Sequence, residues 1–319
     1  MIAIILFIIG FVLLVKGADL LVDGSYFIAR HLKVSELAIG LTVVAFGTSL
    51  PELVVNLSAS FRGAADLAIG NVFGSNIANV FLILGVSAII CPLPLQKKTI
   101  VSEIPFTLIA ALLVGFLANA ALFMDEKAMI LSRWDGLILI FFFGLYLVYI
   151  MKTSKENQEI IYKKEVGSLS VKKSIIYIIV GIIGLFLGGK WIVDGAIYMA
   201  QMFKLSEGFI GLTVVAIGTS LPELVTSVTA AKKGNIDIAV GNVIGSNIFN
   251  LLWVLAISSI IKPLPFSGIN NIDIIIMVFS CTLIIFAMAT GVRNAIDRKN
   301  GIFFLFVYAI YLVYIFYRG

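Results

Sequence analysis

The chain alternates long apolar runs with short polar breaks. Ten runs are long enough to cross a bilayer as helices: residues 2–29, 38–61, 66–90, 104–124, 134–151, 174–194, 206–231, 237–261, 272–291 and 301–317. The longest polar stretch, Lys152 to Lys173, reads as a linker. It separates two five-span blocks, residues 1–151 and 174–319. The expected fold is an all-α polytopic membrane protein of ten transmembrane helices.

Composition agrees with that pattern. Of 319 residues, 61% are hydrophobic and 13% charged, too little charge to cover the surface of a soluble domain. The first apolar run has neither a basic lead nor a cleavage site, so it reads as a retained helix rather than a signal peptide. Cys91 and Cys281 suggest no disulfide framework. The net charge of +5 is distributed unevenly. Odd-numbered loops hold 15 of the Lys and Arg residues, and even-numbered loops with the C-terminus hold 6. The positive-inside rule places the odd loops in the cytoplasm and both termini outside. That leaves no basic face for nucleic acid. The bilayer is the expected surrounding, and no obligate protein partner is evident.

The chain also repeats itself. Residues 40–53 read GLTVVAFGTSLPEL and residues 211–224 read GLTVVAIGTSLPEL, differing only at Phe46 against Ile217. Residues 70–79, GNVFGSNIAN, match residues 241–250, GNVIGSNIFN. Both pairs are offset by 171, as are Pro92 and Pro94 from Pro263 and Pro265, and Asp23 from Asp194. One offset shared by several motifs indicates duplication. A unit of five spans is odd, so the second copy enters the membrane in the opposite sense, giving two inverted-topology repeats.

The repeated motifs place Glu52, Asn79, Glu223 and Asn250 near the middle of their spans. A mid-membrane carboxylate costs several kcal/mol without compensation, which makes a functional role the default. Pro51 and Pro222 each remove a helix donor, and Gly-Thr-Ser precedes both, so each helix is expected to break there. Thr48 and Ser49 share the face of Glu52, and Ser75 shares that of Asn79, as Ser246 does that of Asn250. This donor set is almost wholly oxygen, which selects hard cations, and six to eight oxygens suit calcium. Carbonyls such as those of Thr48 and Thr219 can complete the shell. Sodium is of similar size and fits the same cavity. The glycines also fit helix packing, and the hydroxyls also fit bonds to their own backbone. Asn56-Leu-Ser58 is a sequon inside a span and is read as chance. Lys16 with Asp19, and Lys190 with Asp194, are read as local pairs. Gly181, Gly184, Gly188 and Gly189 give the sixth span a smooth face, suited to sliding or to close static packing.

The doubled G-T-S-L-P-E and G-S-N-I-x-N segments resemble the alpha-repeats of the sodium/calcium exchanger family, within the cation/calcium exchanger superfamily and of prokaryotic type. The resemblance covers essentially the whole chain. It implies that spans two, three, seven and eight hold the ions while spans one and six slide. It implies calcium between Glu52 and Glu223 with the Thr48 and Thr219 carbonyls. It implies sodium around Ala45, Thr48, Ser49, Glu52 and Ser75, and around Ala216, Thr219, Ser220, Glu223 and Ser246. Asn79 and Asn250 lie beside the centre. Calcium and sodium would be transported ions, with no prosthetic group and no enzymatic activity. The implied location is a prokaryotic inner membrane. Some prokaryotic exchangers and the potassium-dependent branch have aspartate where this chain has Asn250, which argues against potassium co-transport. The acid typical of the proton-coupled branch is absent too. Electrogenic sodium/calcium antiport is the leading expectation, with calcium/proton antiport and a passive cation channel as alternatives. An intramembrane aspartyl protease would need two aspartates where these glutamates stand.

Overall fold

The computed structural model describes residues 2–96, 99–122, 129–154, 169–202, 216–289 and 294–318. Most of the expected linker (155–168) and the start of the expected seventh span (206–215) lie outside them, as does the side chain of Ala216. So do several lysines of the charge count, among them Lys97, Lys98, Lys127, Lys163 and Lys204.

Helices dominate. They are α1 Ile2–Leu32, α2 Glu36–Thr48, α3 Leu50–Arg62, α4 Ala65–Ile90, α5 Ile104–Ala118, α6 Arg133–Thr153, α7 Val171–Met202, α8 Ala216–Thr219, α9 Leu221–Lys232, α10 Ile236–Ile261, α11 Asn270–Ala289 and α12 Arg298–Arg318. Among the described residues, eight helices are long and apolar enough to cross a membrane, or nine if the bent pair α2–α3 is one span. Helices α1 and α7, at 31 and 32 residues, are longer than expected. At ~1.5 Å per residue each is over 45 Å long, so each must tilt or project beyond a ~30 Å hydrocarbon layer.

Two pairs of two-residue strands add small antiparallel bridges. β1 (Leu93–Pro94) pairs with β4 (Ala295–Ile296), and β2 (Ile130–Leu131) pairs with β3 (Leu264–Pro265). Of the duplicated prolines, Pro94 and Pro265 therefore sit in strands at matching places of the two halves. Apolar runs carry no signal for such short loop pairings, so the all-helical expectation misses them.

The core helices α4 and α10 are largely buried, 72% and 78% along their most apolar stretches. Helices α1 and α7 are 33% and 28% buried and pack against each other. Glycines make that packing close. A Cβ on Gly17 would stand 2.9 Å from the Gly181 carbonyl oxygen, and one on Gly188 would stand 2.7 Å from that of Gly10. Gly181, Gly184 and Gly188 thus face α1, while Gly189 faces Pro222 of the core. The helix face left open between sliding and static packing is mainly the seam between the two outer helices.

The expected pairs within α1 and α7 do not form. Lys233 instead bridges Asp19 and Asp23 from the end of α9. Arg318 pairs with Asp273 at 2.7 Å, tying α12 to α11. An apolar cavity of about 350 Å³ opens beside the core, lined by Phe46, Phe143, Phe249 and Trp253 among others. Phe46 packs on Trp253 there, with ring centroids 5.3 Å apart.

Candidate ion-binding site

The break in each half falls where proline and Gly-Thr-Ser direct it. Ser49 (φ −82°, ψ 5°) separates α2 from α3, which meet at a 46° bend. Ser220 (φ −86°, ψ 2°) separates α8 from α9 in the same way. Pro51 and Pro222 stand in the first turns that follow, where the missing N–H costs nothing. Glu52 and Glu223 occupy those same first turns, where free N–H groups and the helix dipole favour negative charge.

Both glutamates are completely buried (0% exposed). Hydroxyls from both halves converge on them. Ser49 donates to Glu223 Oε1 at 3.2 Å, and Ser246 donates to the same oxygen at 3.5 Å. Ser75 donates to Glu52 Oε1 at 3.4 Å, and Ser220 to Ser75 at 3.2 Å. Thr48 donates to Asn242 Oδ1 at 2.9 Å, and Thr219 to Asn71 Oδ1 at 3.4 Å. The Ala45 carbonyl accepts from Ser49 N–H at 3.0 Å and from the Thr48 hydroxyl at 3.3 Å.

Asn79 and Asn250 join through amides that the sequence reading did not single out. Asn79 Nδ2 donates to Asn247 Oδ1 at 2.9 Å, and Asn250 Nδ2 donates to Asn76 Oδ1 at 3.1 Å. These bonds cross between halves, and each is the other's counterpart under the offset of 171. The Thr48 and Thr219 bonds are reciprocal in the same sense. Reciprocity of this kind is the mark of a two-fold contact between like surfaces. Asn79 and Asn250 also open π-helical turns, Asn79–Leu84 and Asn250–Val254. Such wide turns recur at functional sites.

A second layer holds this one. Asn71 donates to Asn56 Oδ1 at 2.7 Å, and Asn56 to the Ala68 carbonyl at 3.0 Å. In the other half Asn242 donates to Ser227 at 2.9 Å, and Ser227 to the Ala239 carbonyl at 3.3 Å. Asn56 is fully buried, which removes its sequon from consideration as a glycan site. The signal for these residues was in the duplicated G-N and S-N pairs, each of which repeats a buried amide.

Among the residues of this site, four buried side-chain oxygens accept no hydrogen bond: Glu52 Oε2, Glu223 Oε2, Asn79 Oδ1 and Asn250 Oδ1. All are acceptors, and they come as two counterpart pairs. Buried polar atoms are nearly always partnered. A set of acceptors with carboxylates among them suits a hard cation and suits no anion. Among the described residues, no three His, Cys, Asp or Glu side chains cluster.

Comparison with known proteins agrees with this architecture. The family model described as sodium/calcium exchanger protein matches residues 2–152 and 173–317. The sodium/calcium exchanger MaX1 of Methanosarcina acetivorans is 32% identical, covering 98% of each chain. An uncharacterized membrane protein of Methanocaldococcus jannaschii is 38% identical over 95% of each. A solved structure of the sodium-calcium exchanger NCX_Mj, soaked with 10 mM Na+ and zero Ca2+, is 37% identical and covers 98% of both chains with a TM-score of 0.82. The same exchanger soaked with 2.5 mM Na+ and 10 mM Sr2+ also gives a TM-score of 0.82 at 36% identity. The chain is an integral membrane protein and belongs to the sodium/calcium exchanger family.

Proposed function

We propose that the chain is a secondary antiporter that exchanges sodium for calcium by alternating access. The observation that carries this reading is the set of four donor-less acceptor oxygens on Glu52, Glu223, Asn79 and Asn250. Two carboxylates balance one calcium ion, and their four oxygens with neighbouring carbonyls of Thr48 and Thr219 approach the six to eight that calcium takes. Sodium replaces calcium at positions spread through Ala45, Thr48, Ser49 and Ser75 and through Ala216, Thr219, Ser220 and Ser246. Two sodium ions match the fixed charge, so exchange of more than two per calcium would make the cycle electrogenic. The asparagine at position 250 leaves only two acids in this set, which supports sodium over potassium or protons as the coupling ion.

The same reading includes ten spans in two inverted five-helix repeats, 1–151 and 174–319, joined by a cytoplasmic linker over 152–173. The reciprocal bonds between halves support it, and so does the lysine and arginine bias of the odd loops, which puts both termini outside a prokaryotic inner membrane. The test is flux. Proteoliposomes loaded with sodium should accumulate calcium-45 when diluted into sodium-free buffer, and an imposed membrane potential should change the rate. Uptake that ignores the sodium gradient and follows a pH gradient would replace this reading with calcium/proton antiport. Calcium conductance that needs no gradient of a counter-ion would replace it with a channel.

A further inference from the structure

Lys233 follows α9 directly and sits between two acids of α1. Its Nζ is 2.8 Å from Asp23 Oδ1 and 3.2 Å from Asp19 Oδ1, and it donates to the Asp19 carbonyl at 3.3 Å. Asp19 and Asp23 are four apart and share one helix face. This cluster lies outside the ion site described above and joins an outer helix to the core.

Under the offset of 171, Lys233 corresponds to Arg62, Asp23 to Asp194 and Asp19 to Lys190. The opposite charges of the first pair are thus kept in the second, with arginine in place of lysine. Yet Arg62 and Asp194 are both exposed, and the ion pairs formed by described residues do not include one between them. The packing is unequal in the same direction. Helix α1 lies along α9, whereas its counterpart α7 meets α3 only lightly. Helix α7 also presents Ile182 to Gly47 and Val193 to Gly218, at both breaks.

We propose that Lys233 with Asp19 and Asp23, and Arg62 with Asp194, are two alternative clasps between the outer pair α1–α7 and the core. One is closed while the other is open, and exchanging them accompanies the switch of the site from one side of the membrane to the other. This rests on the alternating-access reading above. The glycine seam leaves no gap between α1 and α7, so they move as one body. A shift that carries Asp194 to Arg62 takes Asp23 away from Lys233. The two clasps are unequal, because Arg62 faces one acid with Lys190 nearby while Lys233 holds two acids. Exposed ion pairs bias an equilibrium only several-fold, which suits a device that must open in every cycle.

The test uses the full chain with Cys91→Ser and Cys281→Ser, reconstituted in membranes. Asp23→Cys with Lys233→Cys should cross-link through a short bifunctional thiol reagent, and so should Arg62→Cys with Asp194→Cys. In the four-cysteine variant, closing one bridge should block the other, leaving the doubly bridged fraction far below the product of the single yields. In the Arg62→Cys/Asp194→Cys background, Lys233→Ala should raise cross-linking about three- to tenfold, and Lys233→Arg should leave it unchanged. Bridges that form independently, or a 62/194 pair that never cross-links in sodium or calcium, would overturn the clasps. Flux on the unmutated protein separates the two ideas. Mutually exclusive bridges without sodium-driven uptake keep the clasps and remove the transport reading. Normal uptake with coexisting bridges removes only the clasps.

Discussion

Two of the seams that join the halves of this molecule are built by opposite means. Where α4 meets α10, side-chain amides bond across the boundary at 2.9 and 3.1 Å. Where α1 meets α7, glycines bring backbone against backbone with no room for a Cβ. Hydrogen bonds are directional, so the first seam fixes position along and around the helices. Close packing of glycines holds two backbones together without directional bonds. Two of the four acceptor oxygens proposed to hold an ion, those of Asn79 and Asn250, sit on the directional seam. The outer helices, which carry none of the acceptor oxygens, are held by the other.

The contrast can be broken most sharply at the site. Glu52→Gln or Glu223→Gln keeps shape and removes charge, so calcium uptake should fall by at least about 100-fold while the protein still elutes as a single folded species. Retained transport in either variant would sink the two-carboxylate site. Next comes the glycine seam. Gly188→Leu drives a side chain into the Gly10 carbonyl and should cost about 3 kcal/mol or more, seen as lost folded protein in detergent. Gly189→Ala, whose Cβ would stand 3.5 Å from Pro222, should be tolerated. Equal effects at 188 and 189 would mean that the seam is not close-packed. Smaller effects belong to the amide seam. Asn76→Ala and Asn247→Ala each leave a buried amide unpartnered, and each should lower the thermal midpoint by a cost of about 1–3 kcal/mol. Asn76 also donates to the Asn247 carbonyl at 3.3 Å and to Met277 Sδ at 3.5 Å, so its loss should be the larger. Asn250→Asp also loses the bond to Asn76 Oδ1, so its fall in stability should be comparable, and its distinguishing readout is pH. A third carboxylate there should make calcium uptake fall as pH drops and the new acid takes up a proton, whereas the unmutated protein should be less sensitive.

Much of this was written in the chain, and some was not. Long apolar runs located the helices, and the proline after Gly-Thr-Ser located both breaks, because those residues act on their own backbone. Burial of Glu52 and Glu223 followed from their place in an apolar run. Partners across helices were harder to see. Asp19 was given to Lys16 because local spacing is all that one helix offers, yet tertiary packing supplied Lys233. Asn76 and Asn247 were passed over in favour of their neighbours. Helical spacing says which residues share a face, and does not say which face meets the other half. The strand bridges at Leu93–Pro94 and Leu264–Pro265 were invisible for the same reason.

The reciprocal bonds also bear on descent. A surface whose asparagine and threonine bonds answer their own duplicates is what two separate, identical half-length chains would use to associate. Joining such chains into one polypeptide frees each copy to change alone. Phe46 can then become part of an aromatic cluster with Trp253 while Ile217 does not, and Asp19 can stand opposite in charge to Lys190. A homodimer would have to make each such change twice, on both sides at once. Fusion therefore permits the symmetric set of acceptor oxygens proposed as the ion site to be kept while everything around it becomes different on the two faces of the membrane.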